Sequence, residues 1–267
     1  MDYGHLQIQA FPALRDNYIW LLIHPLKKKV IAIDPGEAEP LLAFLNAHQL
    51  QLEAILITHH HFDHTGGVTA LKNTYQAKVY GPENSKIIEI THPVKESDIF
   101  FCLDASIKVL NIPGHTLDHI AYQLPGMIFC GDTLFSAGCG KIFEGTVAQM
   151  FSSIQKIAAL PEDTLIYCAH EYTLQNLQFA QVVEPHNNKI QSTLAEVMAL
   201  RQANIPSVPT YLHHEKEVNP FLRCHIDEVV LRVEQHTGLK CTNTEEVFQH
   251  LREWKNNFAF QKPLFKE

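Results

Sequence analysis

The chain reads as an α+β protein in which layered sheets are covered by helices and an all-helical segment follows. Three observations carry that reading. Short aliphatic and β-branched runs recur through the first two thirds, amphipathic helical spacing appears between some of them, and beyond Tyr172 only helical patterns remain. In order, 6–10, 18–23 and 30–33 are β-like, and 39–48 has helical spacing. A buried strand at 54–58 runs into a histidine-rich turn, and a helix follows Gly66-Gly67. Further strands are expected at 78–80, 107–111, 119–123, 127–130 and 164–168, with a helix at 148–159 before the last. In the final third, 175–184, 189–203, 227–236 and 245–254 are helical, and Pro206, Pro209 and Pro220 punctuate the gap. No strand pattern returns there, so a boundary near Thr173 divides a domain at 1–172 from a helical domain at 173–267.

Composition narrows the class. With 267 residues, 46% hydrophobic and 19% charged, the chain can bury a large core. A formal net charge of −8 disfavours a phosphate-tracking surface, so no nucleic-acid partner is expected. Cys102, Cys130, Cys139, Cys168, Cys224 and Cys241 form no Cys-x-x-Cys pair, and a chain of this length needs no disulfide staple. Free buried thiols follow. Met1-Asp2-Tyr3-Gly4-His5 is not a basic start to an apolar stretch, and no apolar run reaches bilayer-spanning length. The reading is a cytoplasmic protein with no membrane partner, expected to be a monomer.

The densest chemistry lies in Thr58-His59-His60-His61-Phe62-Asp63-His64. His59 and His61, two apart on an extended chain, project to one side and His60 to the other. A catalytic zinc has three protein ligands and keeps a position open for water, so His-x-His followed by Asp-His exceeds the needs of one such ion. A surface histidine cluster that binds nothing is the bland alternative. The rest of the chain argues against it. Gly114-His115, Gly131-Asp132 and Ala169-His170 each follow an expected strand. The set then divides into His59, His61 and His115 for one ion and Asp63, His64 and His170 for another, with Asp132 and a water or hydroxide between them. His119 reads as structural or as an outer partner that orients a ligand.

This succession resembles the metallo-β-lactamase superfamily, and within it glyoxalase II, the hydroxyacylglutathione hydrolases. The likeness spans the chain, from Asp16-Asn17-Tyr18 and Asp34-Pro35-Gly36 through Gly131-Asp132-Thr133-Leu134-Phe135, Cys139-Gly140-Lys141 and His170-Glu171-Tyr172-Thr173 to Asn219-Pro220-Phe221-Leu222-Arg223. It implies an αββα sandwich with a metal cleft along one sheet edge, two divalent cations (zinc, with iron or manganese as alternatives), and a glutathione thioester as substrate. It also implies that Lys141, Tyr172, Arg252 and Lys255 hold the glutathione part. Phe143 stands where some relatives have a tyrosine, and Asp118 where glycine is common. Val247, Leu251, Trp254 and Phe258 form an apolar helical stripe flanked by Arg252 and Lys255, which could rim a cleft or simply face solvent.

The expected chemistry is hydrolysis of S-(2-hydroxyacyl)glutathione, S-D-lactoylglutathione above all, to glutathione and D-lactate, the second step of methylglyoxal detoxification. Asp63 and Asp132 are the carboxylates of the reacting centre. A persulfide dioxygenase of the same fold, with one iron on two histidines and an aspartate, would not need His170 or the helical tail. A lactonase or β-lactamase would have no use for Lys141, Arg252 and Lys255 together. A non-catalytic metal-binding protein would be expected to have lost ligands, and none is missing.

Overall fold

The alternation within the first strands sets the layering. In the computed structural model, which describes residues 6–259, β1 (Gln7–Ala13), β2 (Asn17–His24), β3 (Lys29–Ile33), β4 (Gln51–Leu56), β5 (Lys78–Pro82) and β6 (His92–Val94) form one sheet in that order. Residues 1–5 and 260–267, on which the reading of the chain start and the end of the helical segment partly fell, lie outside the described residues. Tyr18, Trp20 and Leu22 of β2 join the core shared with the second sheet, whereas Ile19 and Leu21 join a separate cluster on the other face. β3 and β4 repeat the pattern, with Ile31, Ile33, Ala54 and Leu56 on one side and Val30, Ala32 and Ile55 on the other.

Helices cover that outer face. α1 (Glu39–Ala47) contributes Leu41 and Leu45; beyond the short α2 (Phe62–Thr65), α3 (Val68–Tyr75) contributes Val68 and Leu71. α1 joins β3 to β4, and α2 with α3 joins β4 to β5, which is why these strands pair in parallel, while β1–β2 and β2–β3 are antiparallel.

The second sheet is mostly antiparallel. β7 (Ile99–Cys102), β8 (Ala105–Asn111), β9 (Ile120–Leu124) and β10 (Met127–Gly131) precede the small β11 (Leu134–Phe135) and β12 (Gly138–Cys139) hairpin. α4 (Val147–Ala158), opened by a reciprocal Thr146–Gln149 capping box, returns the chain so that β13 (Leu165–Cys168) lies parallel to β10. Among the described residues five α-helices follow, α5 (Thr173–Val183), α6 (Asn188–Gln202), α7 (Leu212–Val218), α8 (Asp227–Thr237) and α9 (Thr244–Asn256), with a 3-10 turn at Pro220–Leu222. α4 and α9 pack on each other and share the second sheet's core through Met150, Ile154, Phe248 and Leu251, which completes a helix–sheet–sheet–helix sandwich.

Several expectations need correction. A strand does return after Tyr172, since β14 (Thr210–Tyr211) pairs antiparallel with β13. At two residues, beside Pro209, it is too short for any alternation to show. The strand expected at 54–58 stops at Leu56, because the Thr58 N–H is taken by the Asp34 carboxylate at 2.7 Å instead of a neighbouring strand. β1 continues past Pro12, which an edge strand tolerates. β6, β7 and α7 carried no pattern strong enough to read. All six cysteines are free and five are buried, and among the described residues no helix is long and apolar enough to cross a membrane.

The end of α5 is held by one buried ion pair. The Glu184 side chain is 1% exposed and accepts from Arg223 Nη2 at 2.8 Å and Nε at 2.9 Å. Arg223→Ala would leave an uncompensated buried carboxylate, so a loss of about 3–5 kcal/mol is expected in urea denaturation. Arg223→Lys should recover only part of it, since an ammonium cannot reproduce the two-pronged contact.

Candidate metal centre

Loops at the ends of strands from both sheets bring the expected ligands together. The turn after β4 presents His59 and His61, α2 presents Asp63 and His64, and the segments after β8, β10 and β13 present His115, Asp132 and His170. Ring nitrogens converge in the first half: His61 Nδ1 lies 3.1 Å from His59 Nε2 and 3.0 Å from His115 Nε2. In the second half, His170 Nε2 and His64 Nε2 each lie 3.4 Å from Asp63 Oδ2. Asp132 stands between the halves. Its Oδ2 is 3.4 Å from His115 Nε2, and its Oδ1 is 3.3 Å from His170 Nε2 and 3.5 Å from His64 Nε2. His60 points elsewhere, as alternation required, with Nδ1 2.9 Å from Asp118 Oδ1 and Nε2 3.3 Å from Glu144 Oε1.

The outer nitrogens explain which face of each ring is free. His64 Nδ1 donates to Asp34 Oδ2 at 3.0 Å, His170 Nδ1 to Asp16 Oδ1 at 2.8 Å, and His115 Nδ1 to the Lys141 carbonyl at 2.7 Å. Thr58 Oγ1 donates to Asp34 and lies 3.0 Å from His59 Nδ1, where it can accept. Each of these four rings is thereby assigned a proton on Nδ1, leaving the Nε2 lone pair turned inward. Asn17 Nδ2 donates to Asp63 Oδ2 at 3.0 Å. His119 Nε2 accepts the Asp132 N–H at 3.1 Å and its ring stacks on His59 at 4.5 Å, consistent with the structural role expected of it. Asp16, Asn17 and Asp34 entered the sequence reading only within the motifs that carry the resemblance, and Thr58 only as the first residue of the histidine-rich turn, with no role assigned to any of them.

Electrostatics separates the halves. Burial pushes the pKa of His59, His61 and His115 down, which keeps their lone pairs available at neutral pH. Burial works to raise the carboxyl pKa of Asp63 and of Asp132, but the adjoining His170 and His64 imidazoles, whose own pKa the carboxylates push up, hold both well below the usual carboxylate range. Both acids are therefore ionised across the physiological range. His64 Nε2 and Asp132 Oδ1 are buried with no hydrogen-bond partner. Inward-facing lone pairs about 3 Å apart and two orphaned polar atoms are costly unless a cation lies among them, so the donor set fits divalent metal. The trios His59, His61, His115 and Asp63, His64, His170 each bring their ligand atoms within 4.8 Å of one another.

Two glycines allow the carboxylates their places. A Cβ on Gly36 would sit 1.9 Å from the Asp63 carbonyl oxygen, and one on Gly140 1.9 Å from that of Asp132.

The cleft over these groups, about 450 Å³, is walled by Phe62, Phe135, Lys141, Phe143 and Tyr172 as well as the ligands. The Lys141 ammonium lies 5.2 Å from the centre of the Phe143 ring, and Tyr172 stacks on His170 at 4.7 Å. Arg252 and Lys255 do not rim this cleft and do not face solvent. They are 6% and 8% exposed, with Arg252 Nη1 donating to the Cys139 carbonyl at 2.7 Å and Lys255 Nζ to Asn176 Oδ1. The reason is that Phe221, 5.3 Å from the Arg252 guanidinium and 5.5 Å from Lys255 Nζ, draws that flank of α9 inward with its apolar stripe.

An αββα sandwich with two clusters of histidine and aspartate at its sheet edge defines a metallo-hydrolase-type centre. The sequence profile of the metallo-beta-lactamase superfamily matches residues 14–170, and that of the hydroxyacylglutathione hydrolase C-terminus matches residues 171–258. The hydroxyacylglutathione hydrolase of Dechloromonas aromatica is 49% identical over 95% of this chain and 100% of its own, and that of Aeromonas hydrophila is 52% identical over 92% and 97%. The chain belongs to the hydroxyacylglutathione hydrolases, thioester hydrolases of the metallo-beta-lactamase superfamily. Among solved structures, ETHE1 from Myxococcus xanthus aligns at TM-score 0.62 and 23% identity, covering 94% of this chain and 97% of that one, and shares the fold.

The outer carboxylates generate a prediction. Asp16→Ala frees the His170 ring, and Asp34→Ala frees the His64 ring together with the Thr58 that supports His59, so chelator competition should show metal held about 10–100-fold less tightly. Unchanged retention in both variants would mean that these carboxylates do not orient the rings.

Proposed function

We propose that this centre holds two divalent cations and hydrolyses S-(2-hydroxyacyl)glutathione thioesters, S-D-lactoylglutathione above all, to glutathione and the 2-hydroxy acid. On this reading the enzyme performs the second step of methylglyoxal detoxification, as a cytoplasmic monomer using zinc, with iron or manganese able to occupy the same donors. The observation that carries it is the double convergence of ring nitrogens on the two oxygens of Asp132 beneath a cleft walled by Lys141 and Tyr172.

His59, His61 and His115 would hold one cation and Asp63, His64 and His170 the other, with Asp132 giving an oxygen to each. When bound, such a pair lowers the pKa of a shared water from about 15.7 toward roughly 7 and stabilises negative charge developing on a carbonyl oxygen. The chain's own part is orientation. Asp16, Asp34, Thr58 and the Lys141 carbonyl fix the rings, and ionised Asp63 and Asp132 offset the positive charge. A thiol with pKa about 8.5 departs as thiolate without a proton donor, which suits a cleft whose wall offers aromatic rings and an ammonium.

Arg252 and Lys255 support recognition of the tripeptide in a way different from a rim. Neither has a carboxylate partner among the described residues, and burial with the nearby Arg252 charge pushes Lys255 down to about 7. A buried pair of like charges is relieved by an anion. The glycine carboxylate of glutathione is the proposed one, with Lys141 and Tyr172 nearer the thioester and Phe143 giving a ring without a hydroxyl.

Metal-loaded protein assayed against an S-acylglutathione, a β-lactam and glutathione persulfide is expected to turn over the thioester alone; oxygen uptake with the persulfide would point to the dioxygenase instead. Asp132→Ala should abolish turnover and cost at least one of two bound ions by elemental analysis. The double change of Arg252 and Lys255 to Ala should raise KM for the glutathione thioester at least tenfold, since hydrogen bonds to a charged group contribute about 1.5–3 kcal/mol each. An unaltered KM would remove these residues from substrate recognition.

A further inference from the structure

Asp118 gathers three bonds from three segments and takes no part in the centre described above. Its side chain is 7% exposed, and Oδ1 accepts from Thr116 Oγ1 at 2.7 Å and meets His60 Nδ1 at 2.9 Å. Oδ2 accepts from Ser85 Oγ at 2.6 Å. On the far side of the same imidazole, His60 Nε2 is 3.3 Å from Glu144 Oε1, and Glu144 Oε2 accepts the Leu117 N–H at 3.0 Å. His60 is thus bonded through Nδ1 to Asp118 and faces Glu144 with Nε2, and both carboxylates are anchored in the loop that carries His115.

The position of this bracket gives it meaning. His60 lies between His59 and His61, Asp118 three residues after His115, and the three flanking histidines form the first half of the centre. His59 and His115 have outer partners in Thr58 and the Lys141 carbonyl. His61 does not: its inward atom is Nδ1, and among the described residues its Nε2 meets no hydrogen-bond partner. With no second bond to orient the ring, its aim depends on where the backbone at 60–61 is held: the His61 carbonyl accepts the His64 N–H and Thr65 Oγ1, each at 3.0 Å, and the His60 side chain ties the preceding residue to Asp118. The second half has its own supports in Asp16 and Asn17 and shares Asp34 with Thr58 of the first, none of which touches Asp118.

We propose that Asp118 is a positioning residue for the three-histidine half of the metal centre, acting through the His60 imidazole to aim His61. The idea rests on the two-cation reading above. Removing the carboxylate releases His60 and the turn it fixes, and the half that loses affinity is the one formed by His59, His61 and His115. Outer-partner changes typically alter metal affinity 10–100-fold. The other half keeps its own supports and its affinity.

The test compares Asp118→Ala and Asp118→Asn with wild type by zinc competition against a chelator, alone and combined with His61→Asn or His170→Asn. Asp118→Ala should weaken one ion about tenfold or more, in the wild-type background and equally in His170→Asn. In His61→Asn, where that half is already broken, it should add nothing. Asp118→Asn retains an oxygen for Thr116 and His60 and should recover most of the affinity. Wild-type affinity in Asp118→Ala overturns the proposal. So does weakening that is the same in both backgrounds and tracks a fall in the melting temperature of the metal-free protein, because that is loss of fold and not of aim. A wild-type chain that saturates at one ion defeats the two-cation reading instead, and the Ala and Asn variants still decide the role of Asp118 at the ion that remains.

Discussion

Everything at the sheet edge depends on a carboxylate that could not be buried alone. Asp132 sits on the turn after β10 with His64 and His170 beyond one oxygen and His115 beyond the other. Desolvating an ionised carboxylate costs several kcal/mol unless donors or cations surround it. The fold supplies the surroundings from both sheets at once. β4 delivers the histidine turn, β8 and β13 deliver His115 and His170, and α2 delivers Asp63 and His64. The inter-sheet core of Trp20, Ile33, Leu56, Val109 and Phe129 keeps those strand ends in register.

The convergence of these side chains was legible because their density has no cheaper explanation. Four nitrogen and oxygen donors in one turn, and strand ends carrying His115, Asp132 and His170, predict convergence whatever the details of packing. The partners that orient them were not. Asp16 and His170 are 154 residues apart, and Asp34 and His64 are 30 apart, so only the assembled sheets reveal that they touch. Secondary structure followed the same rule. Long periodic segments such as α4, α6 and α9 were readable to within a few residues, whereas β14 and α7 owe their existence to β13 and to the buried Glu215, which accepts from the Ala137 N–H at 2.7 Å.

Arg252 and Lys255 mark the limit of reading a helix by its stripe. Their spacing places them on the flank of an apolar face, and on an isolated helix such residues would lie in water. Against Phe221 and Phe179 their stems and cationic heads are taken inside, over aromatic faces that partly replace hydration. Aromatic neighbours contributed by α5 and by the turn at 220–222 decided the outcome, and spacing along α9 contains no information about them.

That inward turn also connects the helical segment to the metal centre by a continuous set of bonds. Arg252 donates to the Cys139 carbonyl, the Gly140 N–H donates to the Thr133 carbonyl beside Asp132, and the next carbonyl, Lys141, accepts from His115 Nδ1. The segment 139–141 is therefore shared: one side steadies a candidate ligand, and the other is gripped by α9. A substrate anion drawn to Arg252 and Lys255 would act on the same few peptide units that hold His115. The helical segment and the sheet edge are thus tied through the same few peptide units, with α9 bonded at Cys139 and His115 at Lys141.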